Sequence, residues 1–316
     1  MSMPALVARD AAGRVCPADY RYSPTVLSRA PDLTANTLYV VGGLYGNLAA
    51  LKTIERLACR ERGPVTIVFN GDFHWFDAEP EWFAAIETGV ARHDAIRGNV
   101  ETEIVRAGDI GAGCGCAYPE DVDDGIVMRS NAILAELRDV VPRESAHHIG
   151  RLPMHLVAIV GALRVGIVHG DAQALAGWRF AYDALDDPAN ARWLADVRTR
   201  SKVDVFASTH TCLAALREFS LPDRLTVINN GSAGMANFSG SHAGLISRIA
   251  TTPSPHATLY GMQRDGVCID AVPVDYDLDD FLSRFLQRWP DGSGAHLSYF
   301  RRITRGPDYP LACAYR

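Results

Sequence analysis

Short apolar runs alternate with amphipathic stretches through most of this chain, and the runs keep ending in polar residues of the same kind. Leu38 to Val41 reads as a strand that stops at Gly42-Gly43. The segment from Leu48 to Ala58 places Leu48, Leu51, Ile54, Leu57 and Ala58 on one face, the spacing of a helix. Val65 to Phe69 is the next strand, Glu79 to Thr88 the next helix and His93 to Ile96 a third strand. Such strand–helix alternation predicts parallel strands with helices on both faces.

Further along, Ile126 to Val140 reads as a helix, and Leu156 to Val160 with Arg164 to Val168 as a hairpin. Asp187 and Pro188 open a helix expected to run to Thr199. Val203 to Ala207 and Leu225 to Asn229 are strands, and Arg264-Asp265-Gly266 joins Leu259–Gln263 to Val267–Ala271 as a hairpin. Leu278 to Arg288 is a late helix, and the tail after it reads as a surface strap. Residues 1–36, with Pro4, Pro17, Pro24 and Pro31, show no sustained period and read as an irregular extension on the surface. Without repeats or a clear linker, residues 37–316 form one expected domain: two packed sheets flanked by helices.

Composition narrows this picture. A 48% hydrophobic chain of 316 residues has ample material for a core. The net charge of -6 and the dispersed Lys and Arg argue against nucleic acid as the main partner, so an anionic ligand must be attracted locally. Seven cysteines, an odd number without the spacing of a secreted framework, fit reduced thiols and a cytoplasmic protein. The most apolar stretch, Leu156 to Val168, is interrupted by Gly161 and Arg164 and is too short to span a bilayer.

The candidate chemistry lies at the strand ends. Asn70-Gly71-Asp72, Arg97-Gly98-Asn99, Val168-His169-Gly170-Asp171 and Ser208-Thr209-His210-Thr211-Cys212 each follow an apolar run. Strand ends converge on one edge of a sheet, which points to a single metal centre assembled from distant segments. Taken singly, Asp72 and Asn99 are also ordinary turn formers.

The order of these segments, together with Gly43-Leu44-Tyr45-Gly46-Asn47 and Asn230-Gly231-Ser232, resembles the calcineurin-like metallophosphoesterase superfamily, in its small bacterial phosphodiesterase branch. The likeness runs from about Leu38 to Asp275. It implies a four-layer αββα fold and a two-metal site. One metal of such a site takes positions matched here by Asp72, Asn99, His169 and His210, and all four residue types are kept. The other takes the first motif's Asp and His, which are Gly43 and Tyr45 here, and a final His, which is Cys212. The histidine next to the leaving group is Val100. The resemblance therefore implies one intact site beside a degenerate one. Its donors suit one Mn²⁺, Fe²⁺ or Zn²⁺ ion, with two ions as the alternative.

The expected activity is hydrolysis of a small phosphomonoester or phosphodiester, with a metal-bound hydroxide attacking phosphorus and the N–H groups of Gly43 to Asn47 stabilising charge. The alternatives are a specialised lyase or redox enzyme on the same scaffold, or a non-catalytic metal-binding protein. Several residues carry two readings. Tyr45 is either packing or a hydrogen-bond donor to substrate. His74, with Asp77, is either a replacement ligand or general acid, or part of a loop held by Trp75 and Phe76. Glu101 is either an acceptor behind His210 or a metal-bound water, or a helix-start carboxylate. Cys212 is either a thiolate ligand or a small buried hydrophobe. Cys114-Gly115-Cys116 is expected in an inserted loop near the pocket without a second metal, and His147 and His148 are expected to be exposed.

Overall fold

In a computed structural model, residues 12–108 and 110–316 are described; residues 1–11 of the expected extension lie outside them. The described residues contain twelve strands. They are β1 (Leu33–Ala35), β2 (Thr37–Val41), β3 (Val65–Asn70), β4 (Asp94–Ile96), β5 (His155–Val160), β6 (Leu163–Val168), β7 (Val205–Ser208), β8 (Ala215–Phe219), β9 (Leu225–Asn229), β10 (Gly244–Ala250), β11 (Tyr260–Arg264) and β12 (Val267–Val274). They form two six-stranded sheets, ordered β11-β12-β10-β2-β3-β4 and β1-β5-β6-β7-β9-β8. Each sheet is mixed. The β2, β3 and β4 strands run parallel, as do β6, β7 and β9, while the outer members pair antiparallel or add one parallel edge.

The period-two alternation of each strand divides its residues between two cores. Leu38 and Val40 of β2 and Val68 of β3 meet Val165 and Ile167 of β6 and Val205 and Ala207 of β7 between the sheets. Tyr39, Val41 and Phe69 point the other way. There they pack under α1 (Leu48–Ala58), α2 (Pro80–Val90), α3 (Asn99–Ile104), α4 (Asp124–Asp139) and α5 (Arg143–Ile149), all in one continuous cluster. The second sheet's outer face, with Val157, Phe206 and Val227, is covered by Leu194 and Val197 of α7 (Ala191–Ser201) and by Leu27. A short α6 (Tyr182–Asp186) precedes α7; α8 (Leu278–Arg288) and α9 (Gly294–Arg305) close the first sheet's outer layer. The result is the four-layer αββα arrangement. None of the helices in the described residues is long and apolar enough to cross a membrane.

Some expectations shift. The segment before Thr37 is not featureless: 3-10 turns at Ala18–Tyr20 and Pro24–Ser28 bury Tyr20 and Leu27, and β1 joins the edge of the second sheet beside β5. The tail is not only a strap, since α9 buries Ala295 and Ile303 and packs on α4. The expected helix over 187–199 is a 3-10 turn at Pro188–Asn190 followed by α7. The β8, β10, α3 and α5 elements had no clear signal in the pattern.

Candidate metal centre

The two sheets bring their parallel strands' C-terminal ends to one place. Asp72 follows β3 and Asn99 opens α3 just after β4, both from the first sheet; His169 follows β6 and His210 follows β7, both from the second. The sheets are tied across this gap. His169 Nδ1 donates to the Asn70 carbonyl at 2.8 Å, and Asn70 Nδ2 donates to the Ala207 carbonyl at 3.4 Å.

The donor atoms converge. His169 Nε2 lies 3.1 Å from Asn99 Oδ1, 3.4 Å from Asp72 Oδ2 and 3.2 Å from His210 Nδ1. Asp72, His169 and His210 each present an atom within 4.8 Å of the others, and all three are buried. Gly98 permits this closeness, because a Cβ there would fall 2.3 Å from Asp72 Oδ1.

The far sides of these ligands decide what faces inward. His169 spends its Nδ1 proton on Asn70, and His210 Nε2 donates to the Cys116 carbonyl at 3.0 Å. Asn99 gives its amide protons to the Cys114 carbonyl at 3.0 Å and to Cys116 Sγ. Each neutral imidazole therefore turns a lone pair inward, as do the Asn99 amide oxygen and the Asp72 carboxylate. Four acceptors face one another with no proton of their own to share. That donor set fits a divalent cation, and the backbone carbonyls behind it are the orienting outer shell such a site needs. Without a cation the groups resolve the conflict by charge. Burial opposes a charge on His169, but the Asp72 carboxylate outweighs it and raises the His169 pKa. Burial and the neighbouring His169 push His210 down to about 3.

Beside the ligands lies a cavity of about 290 Å³, lined by Tyr45, Trp75, Tyr118, Trp178, Tyr299 and Arg302 among others. Tyr45, Asp72 and Cys212 line it with φ angles of 53°, 52° and 58°, the left-handed region that costs an L-residue roughly 1–3 kcal/mol. Such backbone tension gathers where a function is built.

A solved metallophosphoesterase of Sphaerobacter thermophilus matches this chain with a TM-score of 0.51 at 15% identity, covering 83% of this chain and 98% of its own. A hypothetical protein of Pyrococcus horikoshii OT3 matches with a TM-score of 0.59 at 16% identity, covering 86% and 99%. The chain has the calcineurin-like metallophosphoesterase fold. No family model matches the sequence, and neither does any curated protein. At 15–16% identity the likeness to these structures is one of fold.

Against that scaffold the expected site residues fall into two groups. Asp72, Asn99, His169 and His210 meet as described, and Tyr45 and Cys212 line the same cavity. Cys212 stands outside the ligand cluster; its Sγ is 2.9 Å from Tyr45 Oη, and burial raises both its pKa and that of Tyr45, keeping thiol and phenol protonated. The Tyr45 ring fills the ground next to Gly43, where a Cβ would fall 2.8 Å from Cε2.

His74 and Glu101 do not line the cavity. His74 is fully buried, its Nδ1 2.5 Å from Asp77 Oδ2 and its Nε2 3.1 Å from Glu87, with its ring stacked on Phe83 at 3.9 Å. Glu101 accepts from the backbone N–H groups of Gly98, Asp72, Phe73 and His74, so it clamps the Asp72 loop onto the start of α3 and does not touch His210. Burial and the nearby Asp72 push its pKa up to about 7. The N–H groups expected to cradle phosphate are also engaged: those of Gly43, Tyr45 and Gly46 donate to the carbonyls of Gly71, Asp72 and Phe73, and that of Asn47 donates to Leu44. They knit the first loop to the Asp72 loop. His147 and His148 are exposed on α5.

Sequence reasoning overlooked the carbonyls of Asn70, Cys114 and Cys116, which carry no side-chain signal. It also overlooked Ser298, Tyr299 and Arg302. Their spacing puts them on one side of α9, a helical period that was there to be read.

Proposed function

We propose that this chain is a metal-dependent hydrolase of phosphate esters that works with one divalent transition ion, Mn²⁺, Fe²⁺ or Zn²⁺, held by Asp72, Asn99, His169 and His210. The observation that carries this reading is the convergence of four lone-pair donors, three of them with their protons turned outward onto backbone carbonyls. A divalent ion in that cluster supplies a water of lowered pKa and neutralises phosphoryl charge. The protein's own residues do the rest. Asn70, Cys114 and Cys116 fix the ligand tautomers and amide orientation. The protonated Tyr45 phenol, at the cavity wall, would exchange its Cys212 partner for a phosphoryl oxygen. Trp75, Tyr118, Trp178 and Tyr299 keep bulk water away from the reacting group.

A single ion is favoured because the neighbouring ground is taken: the Tyr45 ring lies against Gly43, and its hydroxyl meets Cys212. The test is turnover of 4-nitrophenyl phosphate and bis-4-nitrophenyl phosphate with Mn²⁺, Fe²⁺, Ni²⁺ and Zn²⁺, alongside elemental analysis. The expected result is about one equivalent of metal and metal-dependent release of 4-nitrophenol, both lost in Asp72→Ala. Tightly held iron with no esterase activity, or no turnover with any of the four metals, would overturn the hydrolase reading.

A further inference from the structure

The cavity beside the metal cluster carries a charge pattern and a wall chemistry that narrow the substrate. Among the described residues, Arg302 of α9 is the only Lys or Arg lining it, and Asp72 the only carboxylate. The Arg302 guanidinium is held from behind: Nε donates to the Ala236 carbonyl at 3.3 Å and Nη2 to the Cys212 carbonyl. Both partners are neutral, so among the described residues its charge has no carboxylate to neutralise it. Asp72, by contrast, is already committed to His169 and to the Val100 N–H. A fixed, unneutralised guanidinium on the wall of a partly enclosed cavity is a site for one anionic group, and the planar fork suits phosphoryl oxygens.

The walls present carbon. Trp178 spends its indole N–H on the Cys116 carbonyl at 3.0 Å, and the Tyr118 hydroxyl pairs with Ser130 at 3.1 Å. Ser298 Oγ accepts from Arg129 Nε at 2.7 Å. With their polar ends engaged, Trp178 and Tyr118 show ring faces and edges to a ligand. One guanidinium is also too little cationic charge for a di- or triphosphate chain. The cavity's 290 Å³ is at the small end for ligand sites. Finally, the described lining holds no imidazole apart from the ligand His210 that could protonate a leaving oxygen. That favours alcohols that depart unaided, and a phenolate is a more stable anion than an alkoxide.

We propose that the substrate is a small phosphate ester of a flat, apolar alcohol, an aryl phosphate, and that Arg302 binds its phosphoryl oxygens from the cavity wall while Trp178 and Tyr118 hold the ring. This deepens the hydrolase reading and rests on it for the reaction, although binding can be tested without turnover. The experiment is calorimetric titration of the Mn²⁺-supplemented protein with phenylphosphonate, methylphosphonate and ATP, none of whose binding requires hydrolysis. Phenylphosphonate is expected to bind about tenfold or more tightly than methylphosphonate, and ATP more weakly than phenylphosphonate. Arg302→Gln should weaken both phosphonates about tenfold, with Arg302→Lys recovering part of the loss. Trp178→Leu should narrow the ratio between the two phosphonates, with the loss falling mainly on phenylphosphonate. Metal content and far-ultraviolet circular dichroism equal to the parent's establish that each variant is folded. Equal affinity for the two phosphonates, tightest binding of ATP, or an Arg302→Gln variant that binds as the parent does would overturn the proposal. Ring-selective, Arg302-dependent binding without turnover of 4-nitrophenyl phosphate would instead leave it standing and remove the hydrolase.

Discussion

His74 shows how a residue of catalytic type can be absorbed by the fold. Burial alone would keep this imidazole neutral, but Asp77 and Glu87 outweigh burial and raise its pKa to about 9. It is therefore a buried cation sandwiched between carboxylates and stacked on Phe83. The ordinary value is 6.5, so between 6.5 and about 9 the folded chain holds a proton the unfolded chain has lost. Stability from this pair is complete below pH 6.5 and drains away as pH rises through 9, with on the order of 3 kcal/mol at stake. His74→Gln should lower the melting temperature at pH 6.5 and flatten its fall towards pH 9.5, as calorimetry across that range will show. An unchanged profile would contradict the pairing. From sequence alone, the short spacing of His74 and Asp77 near Asp72 looked equally compatible with a ligand. Only the position of Glu87, a turn along α2, turns the second nitrogen away from the cavity. The same scale explains what was legible: Asp72, Asn99, His169 and His210 announced themselves by type and by strand-end position, whereas backbone carbonyls have no letter in the sequence.

Among the elements, boundaries were clearest where a cap and a period coincide. Asn47 accepts from the Ala50 N–H and Asp277 from the Asp280 N–H with their side chains, and both α1 and α8 start and stop where the apolar spacing does. The β10 strand was hidden for the opposite reason. Its Ser247-Arg248 interrupts the apolar run, yet every residue in it is buried between β2 and β12. Arg248 is tolerated there because Glu61 and Asp270 hold its guanidinium at 2.7 and 3.0 Å, and Tyr39 bonds the same Glu61. A buried ion pair broken on one side leaves the other charge stranded. Arg248→Leu should cost about 3–5 kcal/mol in urea unfolding while metal content per folded molecule stays the same. A loss below about 1 kcal/mol would mean that water reaches Glu61 and that the strand is less closed than described.

For the molecule as a whole, the two sheets meet at the candidate metal site, so cation binding there and sheet packing would share one boundary. Asp72 and Asn99 belong to one sheet and His169 and His210 to the other. A cation bound between them stabilises the native state in proportion to its free concentration, by about 2.7 kcal/mol at one hundred times its dissociation constant. The melting temperature should rise by several degrees with Mn²⁺ or Zn²⁺ and return after chelation. Asp72→Asn should abolish the difference. Two packed sheets under helices were foreseeable from alternation of strand and helix. The pairing of β6 with β7 and of β2 with β10 was not, because strand partners far apart in sequence are chosen by packing and leave no local period.

The contact between Tyr45 and Gly43 also restricts how this chain can change. At Gly43 the backbone has φ +64°, and any side chain would begin 2.8 Å from Tyr45 Cε2. An acidic residue at position 43 is thus blocked twice while Tyr45 stays, by conformation and by volume. Tyr45 must shrink before position 43 can grow, and a smaller residue at 45 leaves the Cys212 thiol with only the His210 carbonyl as a partner. A side chain at position 43 therefore needs two changes, and the first of them loosens the packing around Tyr45. The two positions are epistatic: the phenol acts as a ratchet that keeps the present arrangement in place.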